Sequence, residues 1–151
     1  MRNSLSRRSF FALPAALFVV SACKKDPGAP PPPQSPGRCS HCGMKLKPES
    51  PWLAEIVSDD GQKLTFDAPR CAFAASLGGK KGKLRMQDYY DKKWHDASEL
   101  RFVAGSSVIG PMGPDLVPVD PGRVTKFTQD HEGEKTYEAG QVTKAILDDL
   151  K

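Results

Sequence analysis

The chain has 151 residues, of which 26% are charged, and its formal net charge is +4. Residues 1–22 hold three arginines and no acidic residue, so the charge of the remaining 129 residues falls to +1. This weak charge excludes a strongly basic nucleic-acid-binding surface, and 129 residues suffice for one compact domain or two very small ones.

The N-terminal segment has the layout of an export signal. Residues 2–8 contain three arginines, and residues 10–20 are mostly apolar. This apolar run is too short to cross a bilayer, which needs about 20 residues. The Arg7-Arg8 pair before two phenylalanines favours twin-arginine export over general secretion. We therefore predict a signal peptide over residues 1–22.

A cysteine follows the predicted signal. Val20-Ser21-Ala22-Cys23 resembles the lipobox of bacterial lipoproteins, in which the cysteine is acylated and becomes the first residue of the mature chain. The resemblance implies lipidation of Cys23 and a membrane-anchored lipoprotein that faces the periplasm. Lys24 stands where an inner-membrane retention signal would have aspartate, so we expect the outer membrane rather than the inner one.

Residues 23–37 form the predicted linker. Between residues 24 and 37 no apolar residue is larger than alanine, and four prolines stand in a row at residues 30–33. Such a segment has too little to bury and favours an extended, polyproline-like conformation. We predict a disordered, semi-rigid tether of about 14 residues, which at roughly 3 Å per residue would span about 40 Å.

Residues 38–151 have the pattern of a small α+β domain. Apolar-rich runs at residues 52–57 and 63–66 flank a polar turn and predict a β-hairpin. A helix is predicted over residues 71–77, with Asp67 near its N-cap and Pro69 in its first turn.

Predicted strands and a predicted helix also follow each other in the rest of the domain. Further strands are predicted over residues 84–90 and 100–106. Residues 141–150 predict an amphipathic helix. Its apolar face would consist of Val142, Ala145, Ile146 and Leu150.

Two segments of this domain resemble each other. Asp67 and Asp120 are separated by 53 positions, as are Arg70 and Arg123, and in both places a strand is followed by a helix. The repetition predicts two similar strand–strand–helix–strand units, the first over about residues 38–98 and the second over about 99–151.

The residues that carry chemistry lie in Cys39-Ser40-His41-Cys42-Gly43-Met44. Two thiols at this spacing can bind one ion, and a thioether beside them favours Cu(I) over harder ions. Three other interpretations stay open. In an oxidising compartment the pair is also suited to a disulfide or a redox dithiol, and a zinc site would need a second half, for which no second C-x-x-C is present.

Four motifs in chain order resemble the NosL family, whose lipoproteins are copper chaperones for nitrous oxide reductase. The resemblance implies a two-unit fold and Cu(I) bound by a cysteine of the first motif and a methionine, Met112 before Met44. It also implies a non-enzymatic metallochaperone of denitrification, with a membrane copper exporter or assembly complex as donor and nitrous oxide reductase as recipient. The motifs are Cys39-x-x-Cys42-Gly43-Met44, Trp52-x-Ala54-x-Ile56, Phe66-Asp67-x-Pro69-Arg70 and Pro111-Met112-Gly113-Pro114-Asp115-Leu116-Val117-Pro118.

Two further residues are candidate ligands. Cys71 departs from the family pattern: it would be a third thiolate or a small buried residue at a helix start, and burial is the favoured interpretation. His41 lies between the two thiols and could supply nitrogen. No catalytic arrangement is present in the sequence, so we expect no enzyme. The alternative functions are an extracytoplasmic thiol–disulfide protein and a heavy-metal-scavenging lipoprotein.

Overall fold

The computed structural model describes residues 37–150. The predicted signal peptide, the lipidation site Cys23 and the linker apart from Gly37 lie outside the described residues. Within residues 37–150, no helix is long and apolar enough to cross a membrane.

The first half of the domain is a four-stranded antiparallel sheet with one helix. Its strands lie in the order β2-β1-β3-β4. The predicted hairpin is confirmed, and Ser58 N donates to Gln62 O at 3.0 Å across its turn. The elements are β1 (Ala54–Val57), β2 (Lys63–Phe66), α1 (Pro69–Leu77), β3 (Lys83–Gln87) and β4 (Trp94–Asp96).

The second half repeats this topology. Its three-stranded sheet has the order β8-β5-β9. When the separate short pair β6–β7 is left out of the count, the first strand of each half lies between the second and the third. The predicted pair of similar units is confirmed. The elements are β5 (Arg101–Ala104), the short pair β6 (Ile109–Gly110) and β7 (Gly113–Pro114), β8 (Val117–Val119), α2 (Val124–His131), β9 (Lys135–Tyr137) and α3 (Lys144–Asp148).

The two units share a hydrophobic core. Neighbouring residues of a strand point to opposite faces, and on β5 Phe102 packs in one apolar cluster while Val103 packs in the other. Phe102 meets Phe73 of α1 edge to face, with ring centroids 4.9 Å apart. Because one strand contributes to both clusters, neither unit has a core of its own.

Three element boundaries differ from the prediction. Helix α1 begins at Pro69, and its N-cap is Ala68 rather than Asp67. The strands over 84–90 and 100–106 are shorter, since β3 ends at Gln87 and β5 at Ala104. Beyond both strands the backbone turns and its groups bond outside the ladder: Asp88 N donates to Lys93 O, and Ser107 N to His131 O.

The helix predicted over residues 141–150 is present but shorter, as α3 over Lys144–Asp148. A 3₁₀ turn at Ala139–Gln141 is followed by extended backbone at Val142, and Thr143 then caps α3 by accepting a hydrogen bond from Ile146 N. Of the predicted apolar face, Val142, Ile146 and Leu150 pack against the core. Ala145 is exposed and Leu147 is buried instead.

A buried aspartate from each unit binds the start of the other unit's helix. Asp88, after β3, accepts from Asp120 N at 2.7 Å and from Arg123 Nη1 at 3.2 Å. Asp115, before β8, accepts from Arg70 N at 2.9 Å. Helix α1 is therefore capped by the second unit, which leaves the carboxylate of Asp67 available for other contacts.

Candidate metal site

The segment with the C-x-x-C motif folds into a tight turn against the first sheet. Cys39 N donates to Met44 O at 2.8 Å, and Gly43 N donates to Cys39 O at 3.0 Å. Gly43 has a φ of +76°, a conformation that glycine adopts without steric cost. Ser40 N donates to Thr65 O of β2 at 2.8 Å, which fixes the turn beside the strand. The backbone thus holds the first two thiols at the end of β2.

Three cysteines and one aspartate converge beside this turn. The ligand atoms of Cys39, Cys42, Cys71 and Asp67 all lie within 4.8 Å of one another, and all three thiols are free. Asp67 follows β2 directly, and Cys71 lies in the first turn of α1. We call the three cysteines the thiol cluster. Chain elements that are distant in sequence therefore bring four donor atoms to one place.

Asp67 is oriented into this group of donors. Its Oδ1 accepts a hydrogen bond from Cys42 Sγ at 3.4 Å. Its Oδ2 is buried and has no hydrogen-bond partner among the described residues. Sequence reasoning missed Asp67 as a site residue, because an aspartate before a helix is the usual sign of an N-cap. Its place in the Phe66-Asp67-x-Pro69-Arg70 motif was the available signal.

The structure separates the two candidate methionines. Met112 Sδ lies 3.4 Å from Cys71 Sγ, although its side chain is 45% exposed. Arg70 fixes the β6–β7 hairpin that carries Met112, since its Nη1 donates to Pro114 O at 3.4 Å. Met44 is 42% exposed and lines a different cavity, whose walls also include Asp67, Ile109 and Pro111.

His41 lies at the edge of the site. It is exposed and, within residues 37–150, does not belong to the group of converging donors. It lines a cavity of about 560 Å³ beside the cluster. The other walls of that cavity include Arg70, Cys71, Leu77 and Met112. Cys71 and Met112 are thus the sulfur residues that line this cavity.

The three thiols differ in their acidity. A hydrogen bond from the Cys71 thiol lowers the pKa of Cys39 to about 6. The same bond, together with burial, raises the pKa of Cys71 well above its usual range. Burial also raises the pKa of Cys42. The thiolate is the form that binds metals, and Cys39 is the thiol of the three that deprotonates most readily at neutral pH.

Thiolate and thioether sulfurs prefer soft ions such as Cu(I). This donor set and the repeated sheet topology define a small α+β domain with a soft-metal type of site. The chain belongs to the NosL family, whose family model matches residues 32–147. The family resemblance expected from the four motifs is therefore confirmed.

Two solved structures are similar to the chain. The crystal structure of the copper chaperone NosL from Shewanella denitrificans is 22% identical, with a TM-score of 0.63 over 76% of this chain and 99% of that one. The solution structure of the apo-NosL protein from Achromobacter cycloclastes is 22% identical, with a TM-score of 0.46 over 62% and 87% of the two chains. No curated protein sequence matches significantly. At this identity the first of these structures supports the fold.

Proposed function

We propose that this protein is a metallochaperone that binds Cu(I) at the thiol cluster and delivers it to nitrous oxide reductase. The observation that carries the proposal is the convergence of three free thiols, with the thioether of Met112 3.4 Å from one of them. Sulfur donors of both kinds are the ligands that Cu(I) prefers. The family, and the similar structure of a copper chaperone from Shewanella denitrificans, support the same proposal.

The difference in exposure within the site suits metal transfer. Cys39 and Cys71 are buried, whereas Met112 lies at the surface beside the cavity. Cu(I) would bind first to the Cys39 thiolate, and the other sulfurs would complete a low-coordinate complex. A ligand of the recipient can then approach from the Met112 side and replace the protein's sulfurs one by one, so that the ion is never released into solution.

The cellular context is part of the same proposal. A lipid on Cys23 and the Pro-rich linker would hold the domain at a membrane and face it to the periplasm. Cu(I) would come from a membrane exporter or assembly complex, and no reaction would be catalysed. The lipobox-like segment and the proline run support this arrangement.

An anaerobic Cu(I) titration of the purified protein in detergent, against a competing chelator, tests the binding. We expect one tightly bound Cu(I) per chain, lost in Cys39→Ser and retained in Met44→Leu, whose exposed side chain does not line the cavity beside Cys71 and Met112. Binding no stronger than that of a simple dithiol would contradict the proposal and favour a thiol–disulfide role for Cys39 and Cys42.

Delivery needs its own experiment. Copper-loaded protein is mixed with metal-free nitrous oxide reductase, and copper and activity in the reductase are measured with and without an excess of chelator. Transfer that persists with the chelator supports direct exchange. Transfer that the chelator abolishes would show that copper passes through solution and would leave a metal-scavenging role.

A further inference from the structure

One surface of the domain combines exposed apolar side chains with several cations. Ile109 is 60% exposed, more than any other large apolar residue of the described chain, and Met44 is 42% exposed. Both line a cavity whose walls carry no sulfur besides that of Met44. The copper proposal gives neither residue a role. We call this surface the basic face, and it consists of the apolar Met44, Ile109 and Pro111 and the cations Arg38, Lys45, Lys47 and Lys92.

The four cations of the basic face outnumber its acids. None of the four forms an ion pair within the described part of the chain. Lys92 joins the others because its Nζ donates to the backbone oxygen of Glu49 at 3.0 Å, close in sequence to Lys47. The nearby acids are the exposed Glu49 and Asp67, whose carboxylate is buried and contacts Cys42. The basic face is therefore positively charged.

The predicted linker joins the domain at this same face. Leu46 N donates to Gly37 O at 2.8 Å, and Arg38 and Lys45 form a backbone bridge. Residue 37, where the predicted linker ends, therefore lies among the cations of the basic face. A lipid on Cys23 would keep the domain within about 40 Å of the bilayer, at a high effective concentration. The surface at the point of attachment meets the bilayer most readily.

Cations and exposed apolar side chains together suit an anionic lipid surface. Lysine and arginine are attracted by the negative potential of the headgroups, and apolar side chains enter the boundary between headgroups and acyl chains. An acidic protein would satisfy the same charges. The attachment of the linker at the basic face favours the bilayer, because the lipid anchor already holds the two surfaces together.

We propose that the basic face lies on the bilayer and binds anionic phospholipid headgroups, with Met44 and Ile109 inserted between them. The proposal rests on the lipid anchor of the proposed function and requires no copper. The cavity that Cys71 and Met112 line shares no lining residue with the basic face. That cavity therefore stays open to a protein partner while the domain lies on the membrane.

Lysine footprinting of the acylated protein in lipid nanodiscs tests this orientation. Metal-free protein is placed in discs of phosphatidylcholine and in discs of equal parts phosphatidylcholine and phosphatidylglycerol. Amine labelling of each lysine is then measured by mass spectrometry. We expect labelling of Lys45 and Lys47 to fall on the order of fivefold in the anionic discs, and high salt to restore it. Lys80 and Lys135, which are exposed outside the basic face, should be labelled equally in both discs.

Two exposed apolar residues give a matched pair of variants. Ile109 and Leu77 are 60% and 50% exposed, and only Ile109 belongs to the basic face. In anionic discs, Ile109→Asn should restore part of the labelling of Lys45 and Lys47, whereas Leu77→Asn should leave it as in the wild type. Circular dichroism checks that both variants are folded. Equal labelling of Ile109→Asn and the wild type would overturn the insertion of this side chain.

The outcomes separate this proposal from the lipid anchor. Equal labelling of Lys45 and Lys47 in neutral and anionic discs, with acyl chains present in the intact mass, would overturn membrane binding by the basic face and leave the anchor. If the mass shows no acyl chains, the anchor fails, and sedimentation with vesicles of the same two compositions tests the face alone. Protection that appears only when nitrous oxide reductase is added would overturn the proposal and assign the face to a protein partner.

Discussion

The two units of this domain have the same topology and different chemistry. In each, an aspartate and an arginine follow the second strand, at Asp67 and Arg70 in the first unit and 53 positions later in the second. At the position that Cys71 occupies in the first unit, the second has the half-buried Val124. A small apolar side chain fits this place in both units, and in the first unit the thiol also adds a ligand.

The equivalent aspartates act differently because their surroundings differ. Asp120 accepts a hydrogen bond from Gly122 N at 2.8 Å and so acts as a local cap. Asp67 accepts from the Cys42 thiol, since Asp115 of the other unit already binds the start of α1. Because Asp115 of the second unit caps α1, the carboxylate of Asp67 contacts the thiol cluster and does not act as a cap.

The connection between the first two strands also differs. In the first unit it is the short turn of residues 58–62. In the second it runs over residues 105–116 and contains the β6–β7 hairpin with Met112. The second unit therefore contributes to the site through a longer loop, and the site is complete only when the two units are packed together.

The largest expected effect comes from breaking this packing at Asp88. Its carboxylate is fully buried and accepts from the backbone N–H groups of Tyr90, Asp91 and Asp120 and from Arg123. Asp88→Ala should lower the free energy of unfolding by about 3–5 kcal/mol, because the buried donors lose their partner. Urea unfolding measures this change. A loss below about 1 kcal/mol would mean that Asp88 does not hold the units together.

Asp115, the counterpart of Asp88, should behave differently. Its Oδ2 has no partner in the described residues, and burial raises the pKa of this carboxyl to about 7. A folded-state pKa above the usual 3.8 means that Asp115 contributes stability at low pH that is lost as the pH rises toward 7. The loss amounts to at most about 4 kcal/mol.

Asp115→Asn removes this titration. We expect its unfolding free energy, relative to the wild type, to improve between pH 4 and about pH 7 and to level off above that in metal-free protein. Asp59→Asn, in the exposed turn between β1 and β2, is the matched control and should show no comparable trend. Parallel pH curves for Asp115→Asn and the wild type would show that Asp115 is ionised at no cost in the folded state.

Much of the fold could be predicted from the sequence, because local patterns determine it. The 53-residue repetition predicted two similar units, and the structure has them. Element ends were less accurate where tertiary contacts decide them. Asp67 was taken for a cap because the sequence cannot show that Asp115, 45 residues beyond Arg70, caps α1 instead.

The candidate site was predictable in part for the same reason. The C-x-x-C turn is local, and its ligands were evident from spacing. Whether Cys71 is buried or joins the thiols depends on where the first turn of α1 packs, and in the structure it is both buried and within the cluster. Met44 is close in sequence to the C-x-x-C motif, and Met112 is distant from it. Only the family resemblance allowed Met112 to be ranked above Met44 as a copper ligand.

Exchanging the residues that distinguish the two units sharpens the comparison. Cys71→Val places the residue of the second unit in the first and should keep the fold. It should weaken Cu(I) binding about 10- to 100-fold, which corresponds to about 1.4–2.7 kcal/mol, because one of three thiols is lost. Competition with a Cu(I) chelator measures the affinity.

The reverse exchange is the control. Val124→Cys adds a thiol to the second unit, where no C-x-x-C turn lies beside it in the described structure, and it should leave the Cu(I) stoichiometry at one. Equal affinity of Cys71→Val and the wild type would show that Cys71 is only a packing residue.

The smallest expected effect concerns the contribution of the longer loop. Met112→Leu keeps an apolar side chain of similar size and removes the sulfur that lies 3.4 Å from Cys71. We expect Cu(I) affinity to fall by less than about tenfold, since thiolates bind Cu(I) more strongly than a thioether does, but copper should leave the protein faster. Met44→Leu is matched in chemistry and almost in exposure, 42% against 45%, and should change neither quantity. If both variants behave alike, the methionine of the second unit is not a ligand, and the first unit alone forms the copper site.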